Sequence, residues 1–456
     1  MSDAESPTDF DPTAPNTGEA FEPVDVFPDS TDFDLRPGAD SCYKCSTCDT
    51  NCPVAEVDDD FPGPKFQGPE QWRLKQRDGD HAIDDSVMDC SNCMRCDNAC
   101  PSGVPLSQMH NTARGEYVAE QMSKTSIEYW RNRVLANYRT SAFLASKVPR
   151  LANFAMNFGP ARWVMEKTMG ITAEREFPEF AAETFREWWA GEGAAAGSRE
   201  RARASRERRG EDPDADKKVA YFHGCYSNYN TPEVGKAMVR TFEHFGYEVV
   251  VPEQRCSGTP MFANGMLPDA RRHAEVNVSS MSDLVEQGYD AIASCTSCSM
   301  ALRQEYPELF DIDGIEDVSA HTFEAVEYLR IHEDLRGAVA EADVEGELAR
   351  EFAYHAPCHA RNQGLERQAV ELFRDLDGAG IEDVGESCSG ISGTYGWKAE
   401  KYEKSMEIGE EMFEHMEGAE GETGMTECPT CAMQMEHGSG YDIRHPLELL
   451  AAALVD

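Results

Sequence analysis

The stretch CSNCMRCDNACP (residues 90–101) decides how this sequence folds, because its cysteine spacing also occurs in CYKCSTCDTNCP (residues 42–53). Both stretches read C-x2-C-x2-C-x3-C-P. This spacing places three thiolates on one short loop around a 4Fe-4S cluster and sends the fourth to a neighbouring cluster. The proline after the fourth cysteine lacks a backbone donor and turns the chain away from the site. The sequence therefore predicts two 4Fe-4S clusters with exchanged ligands.

The exchange divides the eight cysteines into two mixed sets. The set of cluster 1 is Cys42, Cys45, Cys48 and Cys100, and the set of cluster 2 is Cys90, Cys93, Cys96 and Cys52. The apolar side chains expected to cover the clusters are Met94, Val104, Leu106 and Met109. Zinc is the alternative, but structural zinc usually binds two separated C-x2-C pairs, so three thiols on one loop favour iron. Because thiolate-bound iron carries single electrons, this part of the chain is expected to conduct electrons.

Length and charge restrict the class of protein. The chain has 456 residues, enough for about two to four domains, and 84 acidic against 42 basic residues give a net charge of -42. That charge repels phosphate backbones and disfavours nucleic-acid binding. The start MSDAESPTDFD has no signal-peptide pattern, which predicts a reducing cytoplasm where thiols bind metals. The scattered acids indicate a salt-adapted surface and a cytoplasm of high ionic strength.

Changes in composition divide the chain into segments. We expect a disordered acidic tail at 1–38, a two-cluster ferredoxin-type domain at 39–118, a helical region at 119–190, a flexible linker at 191–217, and two cysteine-rich domains at 218–345 and 346–456. In the helical region, the apolar residues in approximate helical phase are Trp130, Val134, Leu135, Tyr138, Leu144, Val148, Leu151 and Phe154.

The last two segments are copies of one unit. Three cysteines of the first copy recur at one constant offset in the second, and a fourth recurs with a slip of one residue. The two sets are Cys225, Cys256, Cys295, Cys298 and Cys358, Cys388, Cys428, Cys431. Short apolar runs such as VAYF, YEVVV and DAIAS alternate with helical segments, which predicts βα units around a small parallel sheet. Four thiols from three loops could enclose one iron-sulfur cluster or one zinc ion in each copy.

The predicted fold class is therefore multidomain α/β: an all-α two-cluster ferredoxin-like domain followed by two tandem α/β cysteine-rich repeats. We call residues 39–118 the ferredoxin-type module, residues 218–345 repeat 1 and residues 346–456 repeat 2.

The stretches RCSGTPMFANGM and CSGISGTYGWKAEKY, together with the double cysteine run, carry a resemblance that covers the chain after residue 38. The chain resembles the iron-sulfur subunits of respiratory dehydrogenases and heterodisulfide-reductase-like enzymes, whose repeats are named for a CCG motif, and is most similar to those of anaerobic glycerol-3-phosphate dehydrogenases. The resemblance implies an electron-transfer subunit, not the flavin-bearing catalytic subunit. Its implied partners are FAD-containing dehydrogenase subunits of the A and B type, and its implied acceptor is membrane quinone. The alternative is a glycolate, lactate or heterodisulfide-reductase-like complex, in which the repeats reduce the acceptor themselves.

One departure from the family pattern concerns the CCG motif. It reads CSG in both repeats, with Ser257 and Ser389 in place of a second cysteine. The resemblance links five cysteines to a non-cubane cluster, so four favour a conventional cube, or zinc in one repeat. Serine oxygen is a harder, less suitable ligand for iron.

Histidines near the repeat cysteines could tune a cluster or relay protons, but structural roles are commoner and none is predicted to be catalytic. They are His223, His355, His359, His321 and His445. The sequence has no G-x-G-x-x-G loop or P-loop for a flavin or nucleotide.

The stretch at 141–171 (SAFLASKVPRLANFAMNFGPARWVMEKTMGI) combines apolar residues with four cations in an otherwise acidic chain. No run of about 18 apolar residues occurs, so a spanning helix is not expected. Two interpretations remain open: the stretch covers the ferredoxin-type module or a partner subunit, or it rests on a membrane surface. The expected location is cytoplasmic, with peripheral membrane contact under the second interpretation.

Overall fold

The computed structural model describes residues 41–77, 79–191, 194–385 and 387–455. The predicted acidic tail at 1–38 lies outside the described residues.

The ferredoxin-type module is built from short helices, as expected for loops that wrap around clusters. The α-helices are α1 (Thr47–Thr50), α2 (Pro53–Val57), α3 (Gln71–Arg77), α4 (Arg95–Ala99) and α5 (Leu106–Glu116). Single turns of 3-10 or π-helix occur at Phe66–Glu70, Asp85–Asp89 and Tyr117–Gln121. Helix α2 begins at Pro53, where the missing N–H costs nothing because the first turn of a helix has no acceptor for it.

The helical region and the segment that follows it contain six helices. They are α6 (Ile127–Ala136), α7 (Tyr138–Ala145), α8 (Pro149–Asn157), α9 (Gly159–Met169), α10 (Phe185–Ala190) and α11 (Ala194–Arg209). Most of the side chains in helical phase, which would ordinarily mark a core face, point to the surface. Trp130, Val134 and Leu144 are exposed, whereas the buried positions of α6 and α7 include the small residues Ala136 and Ala142. The helices are separated by breaks near Asn137 and before Pro149; α7 buries Ala142, whereas α8 buries none of its residues.

The prediction of a flexible linker at 191–217 is wrong for residues 194–209, which form α11. Alanine and arginine are strong helix formers, so a segment of small and charged residues can be helical once a face of it is covered. The helix packs along repeat 1: Ala202 is buried, and the Ser198 hydroxyl accepts a hydrogen bond of 2.9 Å from the Val249 N–H.

Each repeat contains one four-stranded parallel sheet. The strands of repeat 1 are β1 (Lys218–Phe222), β2 (Glu248–Val250), β3 (Asp290–Ala293) and β4 (Thr322–Glu324), in the order β2-β1-β3-β4. Those of repeat 2 are β5 (Glu351–Tyr354), β6 (Gly380–Asp383), β7 (Thr423–Met425) and β8 (Asp442–Arg444), in the equivalent order β6-β5-β7-β8. The prediction of one duplicated α/β unit is confirmed.

Helices connect and cover the strands of both sheets. In repeat 1 they are α12 (Tyr226–Tyr229), α13 (Pro232–His244), α14 (Thr259–Phe262), α15 (Leu267–Val285), α16 (Thr296–Met300), α17 (Tyr306–Leu309), α18 (Ile315–Ala320), α19 (Ala325–His332) and α20 (Leu335–Ala340). In repeat 2 they are α21 (Cys358–Arg361), α22 (Gln368–Leu372), α23 (Tyr402–Gly418), α24 (Pro429–Ser439) and α25 (Pro446–Leu454). Shorter turns lie at Ala301–Glu305, Gly346–Leu348, Tyr395–Trp397 and Ala399–Lys401.

The two repeats share one hydrophobic core. Phe242 of α13 and Leu447 of α25 belong to the same buried cluster, which also contains Tyr221 and Phe352 from the first strand of each sheet. Cysteines follow β1, β3, β5 and β7, and in a parallel sheet the chain leaves these strands at one edge. The shared core therefore holds the cysteine-bearing edges of both sheets in one rigid arrangement.

Arg114 of α5 joins the ferredoxin-type module to repeat 1. The side chain is fully buried and donates hydrogen bonds to the carbonyl oxygens of Val87 (3.3 Å), Cys90 (3.1 Å) and Phe262 (3.0 Å). Because two of these carbonyls belong to the module and the third to repeat 1, one guanidinium fixes the position of the module on the repeat.

Candidate metal centres and the cavity between the repeats

The first cysteine set surrounds a small cavity near the surface of the ferredoxin-type module. The cavity has a volume of about 20 Å³, and the thiol-bearing residues that line it are Cys42, Cys45, Cys48 and Cys100. Val104 and Leu106, two of the residues expected to cover the cluster, also line it and are buried. Cys45 is exposed and Cys48 is buried, so this site has one side toward solvent.

The second set surrounds a cavity of the same size, about 20 Å³, deeper in the module. Its thiol-bearing residues are Cys52, Cys90, Cys93 and Cys96. The structure thus brings together the two mixed sets that the exchanged spacing predicts. Met94 and Met109, the remaining expected covering residues, are buried.

Unusual backbone angles shape both cysteine loops in the same way. Lys44 and Ser46 in the first loop, and Asn92 and Met94 in the second, have φ between 59° and 64°. Residues other than glycine rarely adopt this left-handed region, and such strain persists where surrounding contacts impose it. In both loops it turns the chain between successive cysteines, so that three thiols face one point.

The electrostatic surroundings of the second set include two cations. Burial opposes ionisation of Cys90, but Arg114 and His110 outweigh it and lower the pKa of this thiol to about 6. His110 lies on α5 with Nδ1 3.8 Å from the Cys90 sulfur and Nε2 3.0 Å from the Pro64 carbonyl. Sequence reasoning missed His110, because its position in the chain after Cys100 carries no ligand pattern.

For other buried thiols of the module, burial outweighs the groups that favour ionisation. Burial raises the pKa of Cys48 to about 12, and burial together with Cys388 raises that of Cys93 to about 12. A buried thiol that cannot ionise alone ionises readily when a metal binds it, because the ligand is the thiolate. The donor set of the module therefore fits iron.

The cysteines of each repeat converge from three loops. In repeat 1, Cys225, Cys256, Cys295 and Cys298 all line one cavity, and the neighbouring Cys256 thiol raises the pKa of Cys225. In repeat 2, the Cys428 thiol raises the pKa of Cys431. Cys388 and Cys93 also oppose ionisation of Cys358, whose pKa burial raises. The effect of Cys93 on Cys358 places repeat 2 next to the second set of the module.

The serines that replace the second cysteine of the CCG motif make the same contact in both repeats. The Ser257 hydroxyl oxygen lies 3.5 Å from the sulfur of Cys298, and that of Ser389 lies 3.4 Å from the sulfur of Cys431. If the neighbouring cysteine ionises, the serine hydroxyl can donate a hydrogen bond to its thiolate.

A cavity of about 320 Å³ lies between the two repeats, and we call it the inter-repeat cavity. Seven repeat cysteines line it: Cys225, Cys256, Cys295, Cys298, Cys358, Cys428 and Cys431. The eighth, Cys388, packs instead in a hydrophobic cluster with Val54 and Phe61, against which Cys52 and Cys90 of the module lie. Repeat 2 therefore bridges the module and the cavity.

The helical region forms one wall of this cavity. Tyr138 of α7 and Met156 of α8 pack on the cluster of buried residues that contains Cys225 and Cys256. The expectation that the stretch at 141–171 covers the ferredoxin-type module differs from this placement: α7 and α8 cover the cysteines of repeat 1.

Three of the histidines near the repeat cysteines make well-defined contacts. Burial lowers the pKa of His223 to about 3, and its Nε2 accepts a hydrogen bond of 2.9 Å from Arg186. His445 caps α25 by accepting from the Leu447 N–H. His223 and His359 both line the inter-repeat cavity, and Nδ1 of His359 lies 2.9 Å from the Ser297 hydroxyl. These contacts fix the orientation of the three imidazole rings.

Burial also lowers the pKa of His355 to about 3, and neither ring nitrogen has a hydrogen-bond partner among the described residues. His321 is exposed, with Nδ1 2.8 Å from the Asp317 carbonyl. Neither residue is placed to move a proton into the cavity.

Two absences bear on the site within the described part of the chain. No group of three or more His, Cys, Asp or Glu side chains there is arranged to hold a single metal ion. Also within the described ranges, no helix has the length and apolar composition needed to cross a membrane.

Comparison with known proteins places this arrangement in a family. The family described as 4Fe-4S dicluster domain matches residues 38–104, and the family described as cysteine-rich domain matches residues 219–303 and 352–436. One subunit of the anaerobic glycerol-3-phosphate dehydrogenase of Escherichia coli is 32% identical over 425 residues, 91% of this chain and 98% of the relative.

Two less similar relatives match different shares of this chain. One subunit of the fumarate reductase (CoM/CoB) of Methanothermobacter marburgensis is 23% identical over 91% of this chain and 72% of its own length. Lactate utilization protein A 2 of Bacillus cereus is 24% identical over 52% of this chain and 99% of its own length. The chain is an iron-sulfur electron-transfer subunit of a dehydrogenase, and it belongs to the family of the iron-sulfur subunits of anaerobic glycerol-3-phosphate dehydrogenases.

Proposed function

We propose that this chain receives electrons from an FAD-containing dehydrogenase subunit that oxidises glycerol 3-phosphate, and that it delivers them to membrane quinone. The observation that carries the proposal is the spatial series of thiol sets. The series begins at the exposed Cys45, continues through the second set, in which Cys93 and Cys96 are buried, to Cys388, and ends at the inter-repeat cavity. The substrate rests on the printed name of the Escherichia coli relative.

The residues proposed as ligands are the two sets of the module and the four cysteines of each repeat. The module sets are Cys42, Cys45, Cys48, Cys100 and Cys52, Cys90, Cys93, Cys96; the repeat sets are Cys225, Cys256, Cys295, Cys298 and Cys358, Cys388, Cys428, Cys431. A 4Fe-4S cluster supplies one-electron transfer where it is bound. Zinc in a repeat remains the alternative.

The donor side is proposed at the first set. Tyr43 beside it is 82% exposed, and the neighbouring Cys45 is exposed as well. A redox partner that docks here would bring its flavin near Cys45, the one cysteine of the described residues that is exposed.

The acceptor side is proposed at an exposed surface of the helical region, which we call the apolar face. Its residues are Ile127, Trp130, Val134, Phe143, Leu144, Val148, Leu151, Phe154, Phe158, Trp163 and Val164. These include most of the large exposed hydrophobic side chains of the described residues. Lys147, Arg150, Arg162 and Lys167 lie in the same part of the chain and suit anionic lipid headgroups. We infer peripheral binding to the cytoplasmic leaflet.

Flotation with anionic vesicles tests this location. Leu151→Glu combined with Phe154→Glu is expected to abolish binding of the full-length protein, because two charges would enter the lipid interface. Ile331→Glu is the matched control, since Ile331 is 60% exposed but lies on α19 in repeat 1. Equal flotation of all variants would assign the apolar face to a protein partner.

The experiment that tests the function is anaerobic purification of the native complex. We expect co-purification of a flavoprotein whose oxidation of glycerol 3-phosphate reduces the clusters of this chain. A flavoprotein specific for lactate or glycolate would replace the proposed substrate, and the absence of any flavoprotein would refute the electron-transfer role.

A further inference from the structure

We infer that the inter-repeat cavity is the quinone-binding site and that it opens between α6 and α9 onto the apolar face. This inference rests on the proposed function and adds to it the place where the acceptor binds.

The volume of the cavity exceeds what metal centres require. Each cavity of the ferredoxin-type module has a volume of about 20 Å³ and is lined by one predicted set of ligands. Measured in the same way, the cavity between the repeats is about sixteen times larger than either of them. Its volume is near the lower limit of ligand pockets, about 300 Å³, which suits one aromatic headgroup.

The walls of the cavity suit a flat apolar ring. Phe177 and Trp397 both line it, and their rings stack with centroids 5.0 Å apart and an interplanar angle of 25°. Met156 and Met165 provide flexible, polarisable surface on the same side. A quinone ring can pack on such walls, whereas a small charged acceptor would lose its hydration without compensation.

Tyr226 lines the cavity, and we assign its hydroxyl as the donor to a quinone carbonyl oxygen. Tyr138 donates to Asn230 at 2.6 Å, and the Thr394 hydroxyl accepts from Asn264 at 2.7 Å. Tyr226 also lines the cavity, but its hydroxyl has no hydrogen-bond partner among the described residues. Quinones have carbonyl acceptors and no donors, so a donor without a partner is the group that they require.

Side chains of two helices connect the cavity with the apolar face. Val134 of α6 lines the cavity and is also 42% exposed. On α9, Met165 lines the cavity, whereas its neighbours Trp163 and Val164 are exposed. We place the opening where α6 and α9 pack against each other, so that a lipid-soluble molecule would reach the cavity from the apolar face. The isoprenoid tail of a quinone would remain in this opening.

The donor flavoprotein and the quinone account for all electrons of the reaction at this site. Two electrons from the donor flavoprotein reach the quinone one at a time, and two protons come from water. The quinone becomes a quinol, and Tyr226 supplies a hydrogen bond to one carbonyl oxygen.

Photolabelling of the anaerobically purified, full-length protein in lipid nanodiscs tests the site. The probe is an azido-naphthoquinone, with menadione as competitor. We expect labelled peptides from α9 or from the region of Trp397, and protection by menadione.

Val134→Trp should block the opening and weaken menadione binding at least tenfold, and Tyr226→Phe should weaken it about fivefold through loss of one hydrogen bond. Leu144→Trp is the control, because Leu144 belongs to the apolar face but not to the cavity lining.

The outcomes separate this inference from the proposed function. Iron content and EPR spectra of each variant must match those of the wild type, which shows that the variant is folded and loaded. Labelling elsewhere, or wild-type affinity in both Val134→Trp and Tyr226→Phe, would overturn the cavity as the quinone site. In that case, reduction of the clusters by the flavoprotein would still support electron transfer, whereas failure of that reduction would refute the proposed function itself.

Discussion

The ferredoxin-type module and the pair of repeats both bring cysteines together, but they enclose different spaces. In the module, three thiols of each set come from one short loop, and the cavities measure about 20 Å³. In the repeats, each set comes from three loops at the edges of two sheets, and one cavity of about 320 Å³ remains between them. The difference separates conduction, which needs no space beyond the metal centre, from reduction of an acceptor, which requires room beside it.

Loss of one ligand in each region tests this separation and has the largest expected effect. Cys96→Ala should remove the second cluster of the module and reduce electron transfer from flavoprotein to quinone more than about 100-fold, beyond the usual cost of losing a group that supports a ligand. Cys298→Ala should stop quinone reduction equally while the EPR signals of the module persist. Iron analysis and EPR check both variants. Loss of the module signals in Cys298→Ala would contradict independent roles.

The contact between the two regions is the second test. Arg114→Met should lower the free energy of unfolding by about 4 kcal/mol, because three buried carbonyl oxygens lose their donor. Urea unfolding of the anaerobic protein measures the change. The exposed Arg77→Met, also in the module, should change it by less than about 0.5 kcal/mol. A decrease below about 1 kcal/mol for Arg114→Met would mean that other contacts hold the module in place.

Much of this comparison could be predicted from the sequence, because local spacing determines it. The C-x2-C-x2-C-x3-C-P runs predict which thiols of the module surround each cavity, and short apolar runs predict the strands of both sheets. The constant offset between cysteines predicts that the sheets have the same strand order. In each case the physical cause lies within a few residues of the motif.

Features that depend on packing between distant segments could not be predicted in this way. Helix α11 has the composition of a linker. Its many arginines leave no recognisable pattern in the small residues that contact repeat 1. The role of Arg114 depends on carbonyls in Val87 and Phe262, which lie far from it in the sequence. The inter-repeat cavity exists only when two sheets and the helical region meet, so no single motif indicates it.

A buried carboxyl group between the repeats gives a third test. Burial raises the pKa of Glu324 to about 7 from 4.5, although the Glu327 N–H and the side chain of Gln368 in repeat 2 bond to the carboxylate. The folded protein therefore favours the protonated acid. The raised pKa stabilises the folded protein fully below pH 4.5, and this stabilisation is lost as the pH rises through 7.

Glu324→Gln should prevent the loss of stability at higher pH, because the glutamine amide stays neutral. The variant should gain stability relative to the wild type between about pH 5 and pH 8, up to about 3 kcal/mol. Unfolding at several pH values measures the gain, with the exposed Glu316→Gln as control. Identical pH slopes for Glu324→Gln and the wild type would show that the junction between the repeats does not favour a proton. The module has no role in this prediction.

Salt should have the smallest effect, spread over both regions. A net charge of -42 opposes the compact state, and molar KCl screens this repulsion. We expect a stabilisation of the order of 1 kcal/mol between low salt and molar KCl. Melting midpoints in KCl and in an equal osmolarity of sucrose distinguish screening from exclusion of solutes. No gain in KCl would refute the salt-adapted surface.

The central claim is that the thiol sets hold iron-sulfur clusters that connect the exposed end of the module to the inter-repeat cavity. A redox titration of the anaerobic full-length protein, followed by EPR and by iron and labile-sulfide analysis, tests it most directly. The account predicts signals from two interacting clusters in the module and further iron in the repeats, which Cys298→Ala removes selectively. Colourless protein without labile sulfide, or with zinc at all sites, would contradict the claim.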